Sequence, residues 1–253
     1  MSWTGLKTLI FRECRVVVRY WSVTLAPPVI TTILYFTIFG EIFGKRIGSF
    51  AGIDFTRYMT PGLIVLWVIP YSFGHTAAGL LGARFFKFIE ELLVSPLPGW
   101  IVMTGYVIGG ITRGFLVGAA VTLTALCFTP LEIHSVSVSM AALFLAALVS
   151  ALGGFIAAVL AKTFEHVITI QTLILVPLTY VGGVFNPVSM LPNWAQDLSL
   201  ANPMFYLVNA FRYGFLGVSD VPAGTAFAVG SACGVVLYLT SAILMARGTG
   251  LRE

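Results

Sequence analysis

The 253-residue chain is 58% hydrophobic and only 9% charged, with a mean hydropathy of +0.97. A soluble domain carries about 25% charged residues, so the composition excludes a soluble globular fold. The formal charge of +4 comes from Lys and Arg flanking apolar runs and needs no nucleic acid to explain it.

Residues 3–19 read as an amphipathic helix. Trp3, Leu6, Ile10, Cys14 and Val17 recur at helical spacing, with Thr8, Arg12, Arg15 and Arg19 on another face. A basic face opposite Trp and Leu suits a helix lying in the membrane interface, and suits equally a signal that holds the N-terminus inside. The first apolar run begins after 19 residues and lacks a small-residue cleavage site, so no cleavable leader is expected.

Six runs follow, at 20–40, 58–83, 92–131, 135–161, 167–196 and 221–246, with Arg113 their single charged side chain. About 20 apolar residues are needed to cross a bilayer as a helix. Lipid offers the backbone no hydrogen-bond partners, so a spanning run is a helix or part of a closed barrel. These runs are too long and too uniform for barrel strands, which alternate over about 10 residues. The predicted spans are 21–43, with Pro27 and Pro28 in its first third, then 58–82, 100–128, 137–161, 167–185 and 222–246. The expected fold is an all-α integral membrane protein of six transmembrane helices in one domain, 1–253.

Lys and Arg give the orientation. Lys7, Arg12, Arg15, Arg19, Arg84, Lys87, Lys162, Arg247 and Arg252 fall on one side, nine against Lys45, Arg46, Arg57 and Arg212 on the other. The richer side is cytoplasmic, which places both termini inside.

Three segments are candidates for function. The first is 83–100, ARFFKFIEELLVSPLPGW. Its first twelve residues suit a three-turn helix, with Arg84, Lys87 and Glu91 on one face and Phe85, Ile89 and Leu92 on the next. The Ser-Pro-Leu-Pro sequence that follows stops it. It is either a helix that docks into another protein or an ordinary solvated loop. The second is Arg113, beside Gly110, Gly114 and Gly118. Glycines at that spacing let helices approach closely, and a charge at that depth faces protein or a cavity. Arg113 bonds to carbonyls or hydroxyls of a neighbouring helix, or contacts an anionic substrate. The third is 182–217, too apolar for a solvated loop and broken by Pro187, Pro192 and Pro203. Within it, 203–217 is a short apolar stretch carrying Asn209 and Arg212, of the re-entrant or interfacial type. It is a structural lid or shapes an exit.

Several features point away from chemistry in this chain. There is no G-x-x-x-x-G-K-[ST] phosphate loop. No Asp or Glu lies within a span core, where an ion-coupled transporter commonly has one; Glu41 stands at the outer end of the first span. Cys14, Cys127 and Cys233 show no metal or redox spacing and read as buried packing residues. His75, His134 and His166 find no spaced partner for a metal site and read as packing residues. No catalytic residue and no metal site is expected.

The order of these parts resembles a known family. It runs from a basic helix through six spans, with an inner "IEELLVSPLP" and an outer "LTYVGGVFNPVSMLPNWAQDLSLANPMFYLVNAFRYGFLG". With "PPVITTILYFTIFG" and "FRYGFLG…DVP", it closely resembles the ABC-2 type permeases over the whole chain, in the YadH-like branch related to nodulation and polysaccharide export permeases. The resemblance implies a pair of membrane subunits driven by two copies of a separate ATPase, which holds the ATP and Mg. It implies that 84–95 is the coupling helix, with Arg84, Phe85, Lys87, Phe88, Glu90, Glu91 and Leu92 in contact with that ATPase. Residues 3–19 become a connecting helix. Residues 186–220 become an outer re-entrant segment, with Pro192, Trp194, Pro203 and Arg212 at its gate. The pathway lies between the subunits, mainly along spans 1, 2 and 5, and takes a lipid, glycan, lipid-linked polymer or drug across a bacterial inner membrane. The competing reading is a stand-alone secondary transporter, which needs a coupling-ion site that the spans do not offer.

Overall fold

The structure is a computed structural model that describes residues 2–43, 49–50, 52–88, 98–185 and 187–248. Helix α1 (Ser2–Arg19) leads into α2 (Trp21–Tyr35), which continues as a π-helix over Phe36–Phe43. Two-residue strands β1 (Ser49–Phe50) and β2 (Ile53–Asp54) pair antiparallel, Ser49 with Asp54 and Phe50 with Ile53. Then come α3 (Phe55–Phe85), α4 (Gly99–Leu126) and α5 (Val136–Leu160). The fifth span is composite: α6 (Phe164–Ile170), a π-turn at Gln171–Leu175 and α7 (Val176–Val181). A 3-10 turn (Val188–Met190), α8 (Asn193–Ala201), α9 (Pro203–Leu216) and α10 (Ala223–Arg247) complete the chain.

Six of these units are long and apolar enough to cross a membrane: Trp21–Gly40, Phe55–Phe85, Gly99–Leu126, Val136–Leu160, Phe164–Val181 and Ala223–Arg247. The six-span, all-helical reading therefore holds; among the described residues the small hairpin is the exception to it. That hairpin lies in the segment expected as loop, and α3 starts at Phe55 rather than 58. Asp54 explains the early start, because its carboxylate accepts from Thr56 N at 3.0 Å and satisfies one free amide of the first turn. Ser135 caps α5 in the same way, and Thr163 caps α6.

The core is built on α3, α4 and α5. A methyl group on Gly110 would stand 2.2 Å from Thr76 Oγ1, and one on Gly114 2.1 Å from Ser72 Oγ. Gly154 of α5 lies against the backbone of Phe73 in the same manner. The expected close approach through glycine is what the helices use, since lipid provides no hydrophobic drive to press them together.

The two ends of the bundle differ. Gly99 meets Met245, so the start of α4, the end of α10 and the N-terminal helix share one end, the termini end. The other, the hairpin end, carries β1–β2 and the pair α8–α9. Helix α9 rises from Pro203 to Leu216, where Phe215 O and Gly214 O accept from His134 N and Ser135 N at the start of α5. The tip between α8 and α9 reaches down to Leu178, whose carbonyl accepts from Asn202 Nδ2. The two helices thus run toward the fifth span and fold back from it.

Candidate functional site

At the hairpin end, Arg212 is fully buried, at 0% exposure. Its Nη2 donates to Gly183 O at 2.5 Å and Val184 O at 3.4 Å, just past the fifth span. Its Nη1 pairs with Asp220 Oδ2 at 3.5 Å, and its plane lies over the Tyr58 ring at 4.4 Å. One side chain therefore ties α9 to spans 2 and 5 and to the approach to span 6. Asn209 Oδ1 accepts from Asp220 N at 2.8 Å, and Asn202 Oδ1 caps α9 by accepting from Met204 N at 2.9 Å. Pro203, in the first turn of α9, costs no hydrogen bond there. Pro192 O receives Ala195 N and Gln196 N at the start of α8. Trp194 is 72% exposed. Of the four residues expected at a gate, Arg212 is a buried tie, Pro192 and Pro203 set the turns, and Trp194 is exposed.

Beside this knot, Tyr35 and Tyr180 hydroxyls meet at 2.8 Å, while Phe39 and Tyr180 each stack on Phe185. These aromatics close span 1 onto span 5 at the hairpin end.

At the termini end, the first residues of the expected coupling segment belong to span 2. Span 2 runs on to Phe85 and breaks at Phe86–Lys87, with Lys87 at φ 61°, and Phe88 is again helical; residues 89–95 of the expected helix lie outside the described residues. Arg84 is not free to meet a partner: its Nη1 donates to the carbonyls of Ala158, Val159 (3.2 Å) and Ala161 (3.0 Å), capping the end of α5. A cation is favourable there because the last carbonyls of a helix carry partial negative charge. Phe85, Phe86 and Phe88 are exposed, at 67%, 65% and 55%. Glu90, Glu91 and Leu92 lie outside the described residues.

Helix α1 packs along the first half of α4, where Leu9 occupies the space that a side chain on Gly105 would need. Its buried stripe is Leu6, Leu9, Glu13 and Val17, offset from the expected one, and Trp3 is exposed. Glu13 is the residue that sequence reading missed. Its Oε1 accepts from Arg12 Nη2 at 2.7 Å, and its Oε2 lies 3.3 Å from His75 Nε2, a contact too poorly aligned to be a directed hydrogen bond. Arg12 also donates to Tyr106 Oη at 3.0 Å and lies over that ring. Burial alone would push the Glu13 carboxyl up; the contacts with His75 and Arg12 outweigh it and hold the group below its ordinary value of 4.5. Burial likewise opposes the Arg12 charge, and Tyr106 and Glu13 more than offset it.

Arg113 stands near this cluster. It makes no hydrogen bond to a carbonyl or hydroxyl among the described residues, contrary to one expectation; its guanidinium lies 5.3 Å from the Tyr71 ring centre, and Nε is buried without an acceptor. Arg12, Glu13, His75, Tyr106, Arg113 and Phe88 line one cleft of about 430 Å³ between α1, α3 and α4. No group of three metal-ligating side chains occurs among the described residues. The cysteines are not buried as expected: Cys14 and Cys233 are half-buried and Cys127 is exposed, because an apolar side chain in a membrane can face lipid as well as protein.

The chain is similar to known proteins along its length. Residues 4–216 match the ABC-2 type transporter family. The inner membrane transport permease YadH of Escherichia coli K12 is 43% identical over 253 residues, covering 100% of this chain and 99% of that protein. Nodulation protein J of Rhizobium meliloti is 24% identical over 218 residues, 85% of this chain and 82% of that protein. The six apolar spans, the helix pair α8–α9 before the last of them and these similarities agree: the chain belongs to the ABC-2 type transporter membrane family.

Proposed function

We propose that the protein is the membrane-spanning subunit of an ATP-binding cassette exporter. Two copies form the pathway, and two copies of a separate ATPase supply the energy at the termini end. That end faces the cytoplasm of a bacterial inner membrane, following the excess of Lys and Arg. The observation that carries the reading is the exposed aromatic cluster, Phe85, Phe86 and Phe88, where span 2 breaks. Exposed aromatics clustered at a turn suit an interface anchor, since aromatic side chains dominate binding energy where they become desolvated. Glu90 and Glu91 then set the register against basic groups of the ATPase. The aromatic closure at the hairpin end and the cleft at the termini end suit a resting state that loads from the cytoplasmic side. The cargo is an amphiphile: a lipid, glycan, lipid-linked polymer or drug.

The Glu13–His75 contact is the observation that favours a stand-alone, proton-coupled transporter. It is weak support, because a carboxyl held below its ordinary value is poorly matched to proton exchange near neutral pH.

Copurification with the cognate ATPase tests the proposal. Phe85→Ala with Phe88→Ala, and Glu90→Lys with Glu91→Lys, are expected to lower ATPase association and stimulated hydrolysis. Arg84→Gln, which removes the cap on α5, is expected to retain both. Wild-type association in the two double variants overturns the coupling role of this segment. Transport that persists without any ATPase, driven by a proton gradient, establishes the second reading.

A further inference from the structure

Among the described residues, the cleft between α1, α3 and α4 holds more positive charge than it neutralises. Two guanidiniums, Arg12 and Arg113, line it with one carboxylate, Glu13. Glu13 is already engaged by Arg12 at 2.7 Å and by His75 at 3.3 Å. Arg113 is left with the face of Tyr71, whose quadrupole attracts a cation but does not cancel its charge. Its Nε is buried and finds no acceptor among the described residues. A charged group at this depth in a membrane is costly unless it meets an anion or water.

The rest of the lining fixes what kind of anion fits. Ala78, Ala83, Val16 and Phe88 give the cleft apolar walls. Arg12 stands on α1 and Arg113 about 20 Å along α4 from its start at Gly99, at the rise of an α-helix. His75 Nε2 adds a second buried nitrogen beside the cleft without a directed partner. Guanidiniums match tetrahedral phosphate oxygens through paired N–H donors. About 430 Å³ accommodates such a group together with the first part of an apolar tail.

We propose that this cleft, within a single copy of the chain, binds the phosphate-bearing headgroup of an amphiphile, with Arg113 as its principal cation and the apolar walls receiving its chain. The inference deepens the transport reading by naming a cargo chemistry. It rests on that reading only for the cargo's being carried; the binding site stands on the cleft itself.

The test is a binding measurement that needs no ATPase. The full chain is placed in phosphatidylcholine nanodiscs and titrated with fluorophore-labelled phosphatidic acid and, separately, labelled diacylglycerol. Wild type is expected to prefer phosphatidic acid by about tenfold, as one charge-assisted contact supplies about 1.4 kcal/mol. Arg113→Gln is expected to abolish the preference. Arg15→Gln is expected to keep it, because Arg15 is exposed, stands over Phe11 and does not line the cleft. Inorganic phosphate that displaces the lipid assigns recognition to the oxyanion alone, so that a soluble phosphate ester could also be a source. Failure to displace it assigns recognition to headgroup and chain together, and so to a lipid. Equal affinity of wild type for the two lipids overturns the proposal, and this measurement stands even if the variants misfold. So does a preference retained in Arg113→Gln, or lost equally in Arg15→Gln, which indicates general surface attraction. Loss of ATPase copurification leaves this result untouched, so the failure of one reading is distinguishable from the failure of the other.

Discussion

The hairpin end and the termini end differ in how most of their buried polar side chains are held. At the hairpin end, Arg212, Asn209, Asn202 and Ser199 all bond to backbone groups or to Asp220, and the Arg212 Nε is the exception among these contacts. At the termini end, Arg113 and His75 border an open cleft with nitrogens that lack directed partners. A polar group bonded to backbone fixes geometry, because leaving either partner unmatched costs about 1–3 kcal/mol. A polar group without a fixed partner keeps its bonding capacity for something else. The contrast separates a region built to hold shape from one able to bind.

The contrast breaks first at Arg212. Arg212→Leu leaves the Gly183 and Val184 carbonyls and the Asp220 carboxylate without their cation. Breaking a buried, bonded pair from one side costs about 3–5 kcal/mol. The variant is expected to lose most of its folded yield in detergent and to unfold at a markedly lower temperature. Arg113→Leu, by removing an uncompensated charge, is expected to insert and unfold as wild type does. Similar unfolding curves for the two variants would remove the distinction between the ends.

The glycines sharpen it further. A methyl group on Gly62 would sit 2.1 Å from Val184 O, a backbone atom within the Arg212 knot. One on Gly79, in the cleft, would stand 3.3 Å from Tyr106 Cδ1 and 3.7 Å from Glu13 Oε2, both side-chain atoms able to shift. Gly62→Ala is expected to destabilise by about 1–3 kcal/mol, as overpacking does. Gly79→Ala is expected to be neutral or stabilising, by up to about 1 kcal/mol, since Ala favours the helix interior. Thermal unfolding of both variants in the same detergent measures the difference.

The sequence made some of this legible and hid the rest for physical reasons. The spans were readable because lipid forces each crossing to satisfy its own backbone, so apolar length alone identifies it. The helix pair α8–α9 was readable from Pro192 and Pro203 punctuating an apolar segment. The small-residue contacts were readable from the spacing of Gly110, Gly114 and Gly118. Arg212 was found but its role was not, because the carbonyls it holds lie 28 and 29 residues upstream. The resemblance set Arg84 against the ATPase, and its tie to the end of α5 was hidden because nothing local says that those carbonyls, 74–77 residues downstream, lie beside it. Glu13 was missed because the stripe through Trp3, Ile10 and Cys14 placed the wrong face inward. A signal was present in Leu6, Leu9, Glu13 and Val17, which also recur at helical spacing, with a carboxylate next to Arg12.

Glu13 supplies the smallest effect and the finest test. Its carboxyl is held below the ordinary 4.5, so the folded protein binds that proton less readily than the unfolded chain does. The resulting stabilisation is fully present above the unfolded value and is lost as pH falls through the lower, folded value. Arg12 is about half exposed, at 46%, so solvent screens part of the interaction, and the contribution is expected to be about 1 kcal/mol. Glu13→Gln should therefore be less stable than wild type near neutral pH and should converge with it in acid, once pH has fallen through the lowered, folded value. The difference between the two proteins isolates Glu13 from every other carboxylate that titrates over the same range. Unfolding in detergent at a series of pH values between about 7 and 3 gives the curve. A difference independent of pH would mean that Glu13 holds α1 to α3 and α4 by shape alone. A difference that vanishes in acid would mean that its charge joins α1 to the floor of the cleft, which makes the N-terminal helix a wall of the candidate binding site rather than a separate element beside it.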